Sequence, residues 1–168
     1  MHAKNFILYL VLLLSLNLLI SCSDDDDDAQ PEPTNTELIT AGEWKGDKVL
    51  LNSIDVAAIP GVGENATTFQ TLRLNVREDK TYTATFLASG QQQTYEGSWS
   101  FNSNETKITL ENLGEMDIKR LTMENMDLTT TISIDNLNLL GDIIGVDRRL
   151  IAAFTGGNDV NAELRFVR

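Results

Sequence analysis

The chain has 168 residues, with 25 acidic and 13 basic side chains and a formal net charge of −12. This acidic balance argues against a nucleic acid partner, because phosphate binding needs a concentrated basic face and the paired basic positions are Lys119-Arg120 and Arg148-Arg149. With Cys22 as its one cysteine, the chain cannot form an internal disulfide.

The N-terminus has the features of a cleaved export signal. Residues Phe6 to Ile20 form an apolar run of 15 residues, interrupted by Ser15 and Asn17. A spanning helix needs about 20 apolar residues, so cleavage is favoured over retention. The following Leu19-Ile20-Ser21-Cys22 resembles the lipobox of bacterial lipoproteins, which predicts a signal peptide over residues 1–21 and a lipid attached to Cys22.

Acylation of Cys22 would have two consequences. The mature chain would have no thiol, which excludes thiolate metal sites and cysteine nucleophiles. It would also be anchored to a membrane almost permanently, because each buried CH₂ of an acyl chain such as palmitate contributes about 0.8 kcal/mol.

Residues 22–37 are predicted to be a disordered acidic tether. A run of like charges repels itself and buries no surface; the run here comprises Asp24, Asp25, Asp26, Asp27 and Asp28. Ser23 followed by these aspartates resembles the export signal of Bacteroidota lipoproteins. That resemblance implies an outer-membrane protein that faces the cell exterior. Charge repulsion alone implies only a solvated tether.

Residues 38–168 are predicted to form one all-β domain of 131 residues. Apolar and polar residues alternate with the period of a half-buried strand, and the turns between these segments are too short for crossover helices. Eight strands are expected, and eight antiparallel strands can close into an up-and-down barrel. The predicted strands are Trp44 to Asn52, Leu72 to Val76, Tyr82 to Ala88, Tyr95 to Phe101, Lys107 to Glu111, Glu115 to Leu121, Met126 to Ile134 and Ala162 to Val167.

Two apolar stretches, Ser53 to Thr67 and Asn136 to Asn158, do not alternate, and the second has partly helical spacing. They are interpreted either as a plug that packs on itself or as a ligand portal. The residues expected at such a portal are Ile54, Val56, Ile59, Leu139, Leu140 and Ile143.

Gly42-Glu43-Trp44 opens the first strand and resembles the G-x-W start of the lipocalins. The order of lipobox, acidic tether and G-x-W barrel is similar to the lipocalin-like lipoproteins of Bacteroidota. This resemblance implies a barrel floor at which Gly42 and Trp44 meet an arginine of the last strand. Arg165 and Arg168 are the candidates, with Arg165 preferred. A guanidinium over an indole would contribute about 0.5 to 2 kcal/mol and would be structural.

The sequence favours a protein without catalytic activity, cofactor or metal. The one histidine, His2, lies in the signal peptide, so the mature chain has no imidazole for acid–base catalysis or metal binding. The numerous carboxylates lie on polar strand faces or in turns, where solvation explains them.

Two functions remain open. The first is a surface-anchored barrel that binds a small apolar or amphipathic molecule. The second is a structural lipoprotein with a filled barrel that meets a protein or glycan partner. A cavity of about 300 Å³ or more with an open mouth would favour the first function.

Overall fold

The computed structural model describes residues 32–60, 66–133 and 137–168. Cys22 and the export-signal positions Ser23 to Asp28 lie outside these residues. Pro33–Arg168 form one compact unit. The described strands are β1 (Trp44–Leu51), β2 (Ile54–Asp55), β3 (Arg73–Val76), β4 (Thr81–Ala88), β5 (Gln91–Phe101), β6 (Lys107–Leu110), β7 (Gly114–Leu121), β8 (Asn125–Ile132) and β9 (Val160–Val167).

The helical segments are short and flank the strands. The α-helices are α1 (Asn35–Thr40), α2 (Leu137–Ile144) and α3 (Arg148–Thr155), and 3-10 helices span Val56–Ala58 and Ala66–Thr71. No helix in the described ranges is long and apolar enough to cross a membrane.

The strands form a closed eight-stranded antiparallel barrel, as predicted. Strands β3 to β9 pair in chain order, β1 pairs with β3, and β9 returns to pair with β1. The seam between β1 and β9 runs from Lys45 beside Val167 to Leu51 beside Ala162. The two-residue strand β2, which the sequence did not predict, pairs only with the end of β1 and lies outside the closed ring.

The alternation of apolar residues points them into the barrel, because successive side chains of a strand face opposite sides of the sheet. In β4, Tyr82, Ala84 and Phe86 are buried, whereas Leu87, the next residue after Phe86, is exposed. The same period buries Leu74 and Val76 of β3, Ile108 and Leu110 of β6, and Ala162 and Phe166 of β9.

One end of the barrel is closed by Trp44, which is 0% exposed. Its indole Nε1 donates a hydrogen bond of 2.9 Å to the carbonyl oxygen of Ile39, at the end of α1. Thr34 is the N-cap residue before the helix, and its side chain forms a reciprocal capping box with Glu37. The helix is therefore fixed at its start by the capping box and at its end by the buried indole. We call this end the floor.

The arginine that lies over Trp44 is Arg168 and not Arg165, which corrects the preferred expectation. The guanidinium carbon of Arg168 is 3.9 Å from the centroid of the Trp44 ring. Arg165 follows the inward-facing Leu164 and precedes the inward-facing Phe166, so its side chain faces outward. There its Nε is 2.6 Å from Oε1 of Glu163.

Gly46 of β1 has no side chain, which allows the segment 66–71 to lie close to the barrel wall. A Cβ atom at this position would lie 2.0 Å from the carbonyl oxygen of Phe69. The pairing of β1 with β9 shifts register between Gly46 and Lys48. The Gly46 N–H donates a hydrogen bond of 3.0 Å to the carbonyl oxygen of Leu72. Phe69 is 1% exposed and packs edge-on against Phe166, with ring centroids 5.3 Å apart. The segment 66–71 therefore packs tightly against the barrel wall at β1.

Candidate functional site

The barrel encloses a cavity of about 390 Å³. Its deep wall is built from inward-facing apolar residues of six strands, which include Leu74, Phe86, Leu110, Met116, Leu128 and Phe166. The lining carries this apolar face because one side of each strand alternation is aliphatic or aromatic. The volume lies within the range of about 300 to 1,000 Å³ that is typical of small-molecule sites.

The cavity opens at the end opposite the floor. Its rim is formed by Tyr95 of β5, Leu113 of the β6–β7 turn, Ser133 just after β8 and Ile143 of α2. All four residues are half-buried. We call these four residues the mouth.

The mouth exists because β5 is longer than its pairing with β6. Only Trp99 to Phe101 of β5 pair with β6, whereas the residues from Gln91 to Ser98 pair with β4 alone. Beside the mouth, the ring of Tyr95 is stacked on Phe86, with centroids 5.9 Å apart and planes 3° from parallel. The part of β5 that pairs with β4 alone therefore leaves a gap in the wall between Tyr95 and the β6–β7 turn.

The residues expected at a portal occupy different places. Ile143 lines the cavity at the mouth, whereas Ile54 is exposed and Val56 and Ile59 are buried in the main hydrophobic core. Val56 also borders a separate hollow of about 180 Å³, together with Asp47 and Asp55. Leu139 and Leu140 belong to α2, but their side chains lie outside the described part of the structure.

Sequence reasoning did not select Tyr95 or Leu113 as mouth residues. The alternation placed Tyr95 on the inner face of its strand, and it assigned Leu113 to a turn. A period-two pattern gives the face of a residue but not its height along the barrel. The height depends on how far each strand pairs with its neighbours, which the sequence pattern does not encode.

Hydrogen bonds between Tyr82, Ser98 and Glu111 join β4, β5 and the β6–β7 turn beside the mouth. The Tyr82 hydroxyl donates to the carbonyl oxygen of Glu111, and burial, with the nearby Glu111 carboxylate, raises the pKa of Tyr82 above its usual value. The Glu111 carboxylate accepts hydrogen bonds from the backbone N–H of Ser98 at 2.9 Å and from its hydroxyl at 2.8 Å. These bonds, the backbone one foremost, lower the pKa of Glu111.

The polar groups of the cavity are few. The Thr130 hydroxyl donates to the carbonyl oxygen of Glu115 at 3.3 Å. The Glu115 carboxylate lies on the outer face, because Lys107 Nζ is 2.7 Å from it and 3.6 Å from Asp117, and the intervening Met116 faces inward. Among the described residues, no group of three or more His, Cys, Asp and Glu side chains is arranged to hold a metal ion.

No protein-family model matches the chain, and no curated protein is significantly similar to it. The site is therefore defined by its own geometry. A closed barrel with an apolar cavity and a few hydroxyl groups near its mouth is compatible with binding a small molecule.

Proposed function

We propose that this chain is a lipid-anchored, lipocalin-like binding protein that holds a small apolar or amphipathic molecule in its barrel, apolar end first. The observation that carries the proposal is the cavity of about 390 Å³ with an apolar wall and an open mouth. A barrel filled by its own side chains would instead favour a structural role with a protein or glycan partner. The cavity favours the binding role.

The direction of binding follows from the distribution of polarity. The deep wall, formed by residues such as Leu74, Leu110 and Phe166, has no polar side-chain atom. The hydroxyl groups of Tyr95, Thr130 and Ser133 belong to the mouth or its approach. Burying apolar surface contributes about 25 cal/mol per Å², so the apolar part of an amphipathic ligand is most stable at depth.

The anchoring part of the proposal depends on Cys22 and the residues around it, which are read from the sequence. A lipid on Cys22 would hold the barrel at the outer membrane, and Ser23 with the following aspartates would direct it to the cell exterior. We propose no enzymatic activity, since the chain after Cys22 has neither histidine nor cysteine.

Binding of the neutral solvatochromic dye Nile red tests the proposal. A chain that begins at Ser23 keeps all of Pro33–Arg168, the compact unit that contains the cavity. The substitution Ala84→Phe adds a ring to the cavity lining without removing any group. Leu87→Phe, on the exposed face of the same strand, is the matched control.

We expect the unsubstituted chain and Leu87→Phe to bind the dye equally, and Ala84→Phe to bind it at least about tenfold more weakly. That factor corresponds to about 1.4 kcal/mol. Circular dichroism and denaturant midpoints establish that each variant is folded; if Ala84→Phe is not, Ala84→Leu takes its place. Equal dye affinity in all three folded proteins, or no binding by any of them, would contradict the proposal.

A further inference from the structure

We infer that the barrel accepts apolar molecules whose polar end is uncharged or cationic and discriminates against those with an anionic end, such as fatty-acid carboxylates. This inference rests on the proposed function and defines its ligand class. It is carried by two independent observations, the composition of the cavity wall and the charge of the residues beside the mouth.

The described cavity wall has no cationic side chain that would stabilise a negative charge. Among the described lining residues, Glu115 is the only one with a charged side chain, and its carboxylate is on the outer face beside Lys107. No lysine or arginine belongs to that lining. A carboxylate drawn into the cavity would lose its hydration without gaining a cation, and an unpaired charge is costly to bury.

Hydroxyl groups can satisfy an uncharged polar end. Thr130 uses its hydroxyl hydrogen toward Glu115, which leaves the oxygen free to accept a hydrogen bond. Tyr95 stands at the mouth with its ring on Phe86, and its hydroxyl makes no hydrogen bond to any other described residue. A ligand hydroxyl or carbonyl group near the mouth could therefore replace its hydrogen bonds to water with hydrogen bonds to the hydroxyl groups of Thr130 and Tyr95.

Three acidic residues lie within two positions of mouth residues in the sequence. Glu96 follows Tyr95, Glu111 precedes Leu113 by two positions, and Asp142 precedes Ile143. All three carboxylates belong to exposed residues. An anionic head group that remained outside the cavity would meet like charges within a Debye length, whereas a neutral one would not and an ammonium group would be attracted. Both the interior and the rim therefore act against an anion.

The test uses three molecules with the same apolar chain: decan-1-ol, decanoate and decylamine. Each competes with Nile red for the chain that begins at Ser23, at neutral pH and at low and high salt. We expect the alcohol and the amine to displace the dye at concentrations at least about tenfold lower than decanoate does. High salt should weaken the binding of decylamine, since screening acts mainly on the exposed rim. Decan-1-ol should still bind more tightly than decanoate at high salt.

A cation placed in the wall should change this preference. In Thr130→Arg the new guanidinium would face the cavity. The affinity for decanoate should therefore rise at least about tenfold relative to the affinity for decan-1-ol. Thr129→Arg, whose neighbour Leu128 faces inward and whose own side chain faces out, is the matched control and should keep the original preference. If Thr130→Arg does not fold, Ile132→Lys places a cation on the same face nearer to the mouth.

The outcomes separate the two proposals. If Nile red binds and decanoate displaces it as well as decan-1-ol does, the discrimination against anions is overturned and the binding function stands. If neither the dye nor any of the three competitors binds, the binding function itself is overturned. A selectivity of tenfold or more that Thr130→Arg reduces and Thr129→Arg leaves unchanged supports the inference.

Discussion

Arg168 lies across the face of Trp44, with its guanidinium carbon 3.9 Å from the ring centroid. The same guanidinium donates to the carbonyl oxygen of Met123 at 2.8 Å and to that of Leu38. It therefore joins β9, the β7–β8 turn and α1 at the floor, and burial lowers its pKa. We expect Arg168→Ala to lower the free energy of unfolding by about 1 to 3 kcal/mol, from the lost ring contact and hydrogen bonds.

Arg165→Ala is the matched control, because Arg165 lies three residues earlier, in β9, but makes an ion pair on the outer face. Partly exposed ion pairs contribute about 0 to 1 kcal/mol to stability. Without Arg165, the Glu163 carboxylate still has its ion pair with Lys119, whose Nζ is 2.6 Å from Oε2. Urea denaturation measures both variants. Equal losses for the two arginines would show that the contact with Trp44 contributes nothing specific to stability.

Gly46 is expected to tolerate a methyl group less well than Gly42 does. Gly46→Ala would place its Cβ 2.0 Å from the Phe69 carbonyl oxygen, whereas Gly42→Ala meets only the end of the Arg168 side chain, at 3.7 Å. We expect a loss of about 1 to 3 kcal/mol or more for Gly46→Ala and less than about 0.5 kcal/mol for Gly42→Ala. Denaturant midpoints that rank the two in the opposite order would contradict the close approach.

Tyr82 should make stability depend on pH in the alkaline range. Its pKa is raised above 10.0 in the folded chain, so folding favours the protonated phenol. The resulting contribution is fully present below the unfolded pKa of about 10 and is lost as the pH rises through the higher folded pKa. We expect the free energy of unfolding to fall more steeply above pH 10 in the unsubstituted chain than in Tyr82→Phe.

Tyr82→Phe also removes the hydrogen bond to the Glu111 carbonyl group, which should cost about 1 kcal/mol at neutral pH. The comparison between the two chains removes the contribution of the lysines, which titrate in both. Parallel pH profiles above pH 10 would mean that the phenol does not ionise differently in the folded and unfolded chains.

Cys22→Ser should abolish lipid attachment, because a serine side chain cannot form the thioether. We expect the variant to leave the membrane fraction and to incorporate no labelled fatty acid, while its barrel remains folded. Ser21→Ala, which leaves the cysteine and a small residue before it, is the control and should still be acylated. A Cys22→Ser protein that stays with membranes and carries label would refute the lipoprotein interpretation.

Replacing Asp24 to Asp28 with alanine should preserve acylation and reduce exposure at the cell exterior. Protease added to intact cells measures this exposure, and fatty-acid labelling verifies acylation. Replacement of the same residues with glutamate keeps the charge and is the control for a purely electrostatic role. If digestion is the same in all three proteins, the run serves only as a solvated tether.

The sequence predicted the barrel well because a half-buried strand imposes a strong period of two. Leu72 to Val76 and Tyr82 to Ala88 were assigned both a strand and an inner face, and the structure has β3 and β4 there with that face buried. The same period could have selected Arg168 over Arg165. Arg168 shares the parity of the inward-facing Leu164 and Phe166, so a continued alternation directs it toward the floor.

The position of the mouth could not be predicted in this way. Val56 and Ile59 interrupt the alternation, which indicated that something covers them, and the structure buries them in the main core. The mouth instead includes Tyr95, which the alternation treats like any other inward residue. Its position follows from the unequal pairing of β5 with β4 and β6, a long-range property with no local signal.

The seam between β1 and β9 determines when the barrel can form. Lys45 pairs with Val167, more than a hundred residues later in the chain, whereas β3 to β8 pair with their immediate neighbours in sequence. During synthesis or export those hairpins can form one after another, but the curved sheet remains open beside β1 until Val160–Val167 has emerged. Closing such a long loop carries a large entropic cost and is slow. The cavity therefore forms in a late step of folding, when β9 completes the barrel wall.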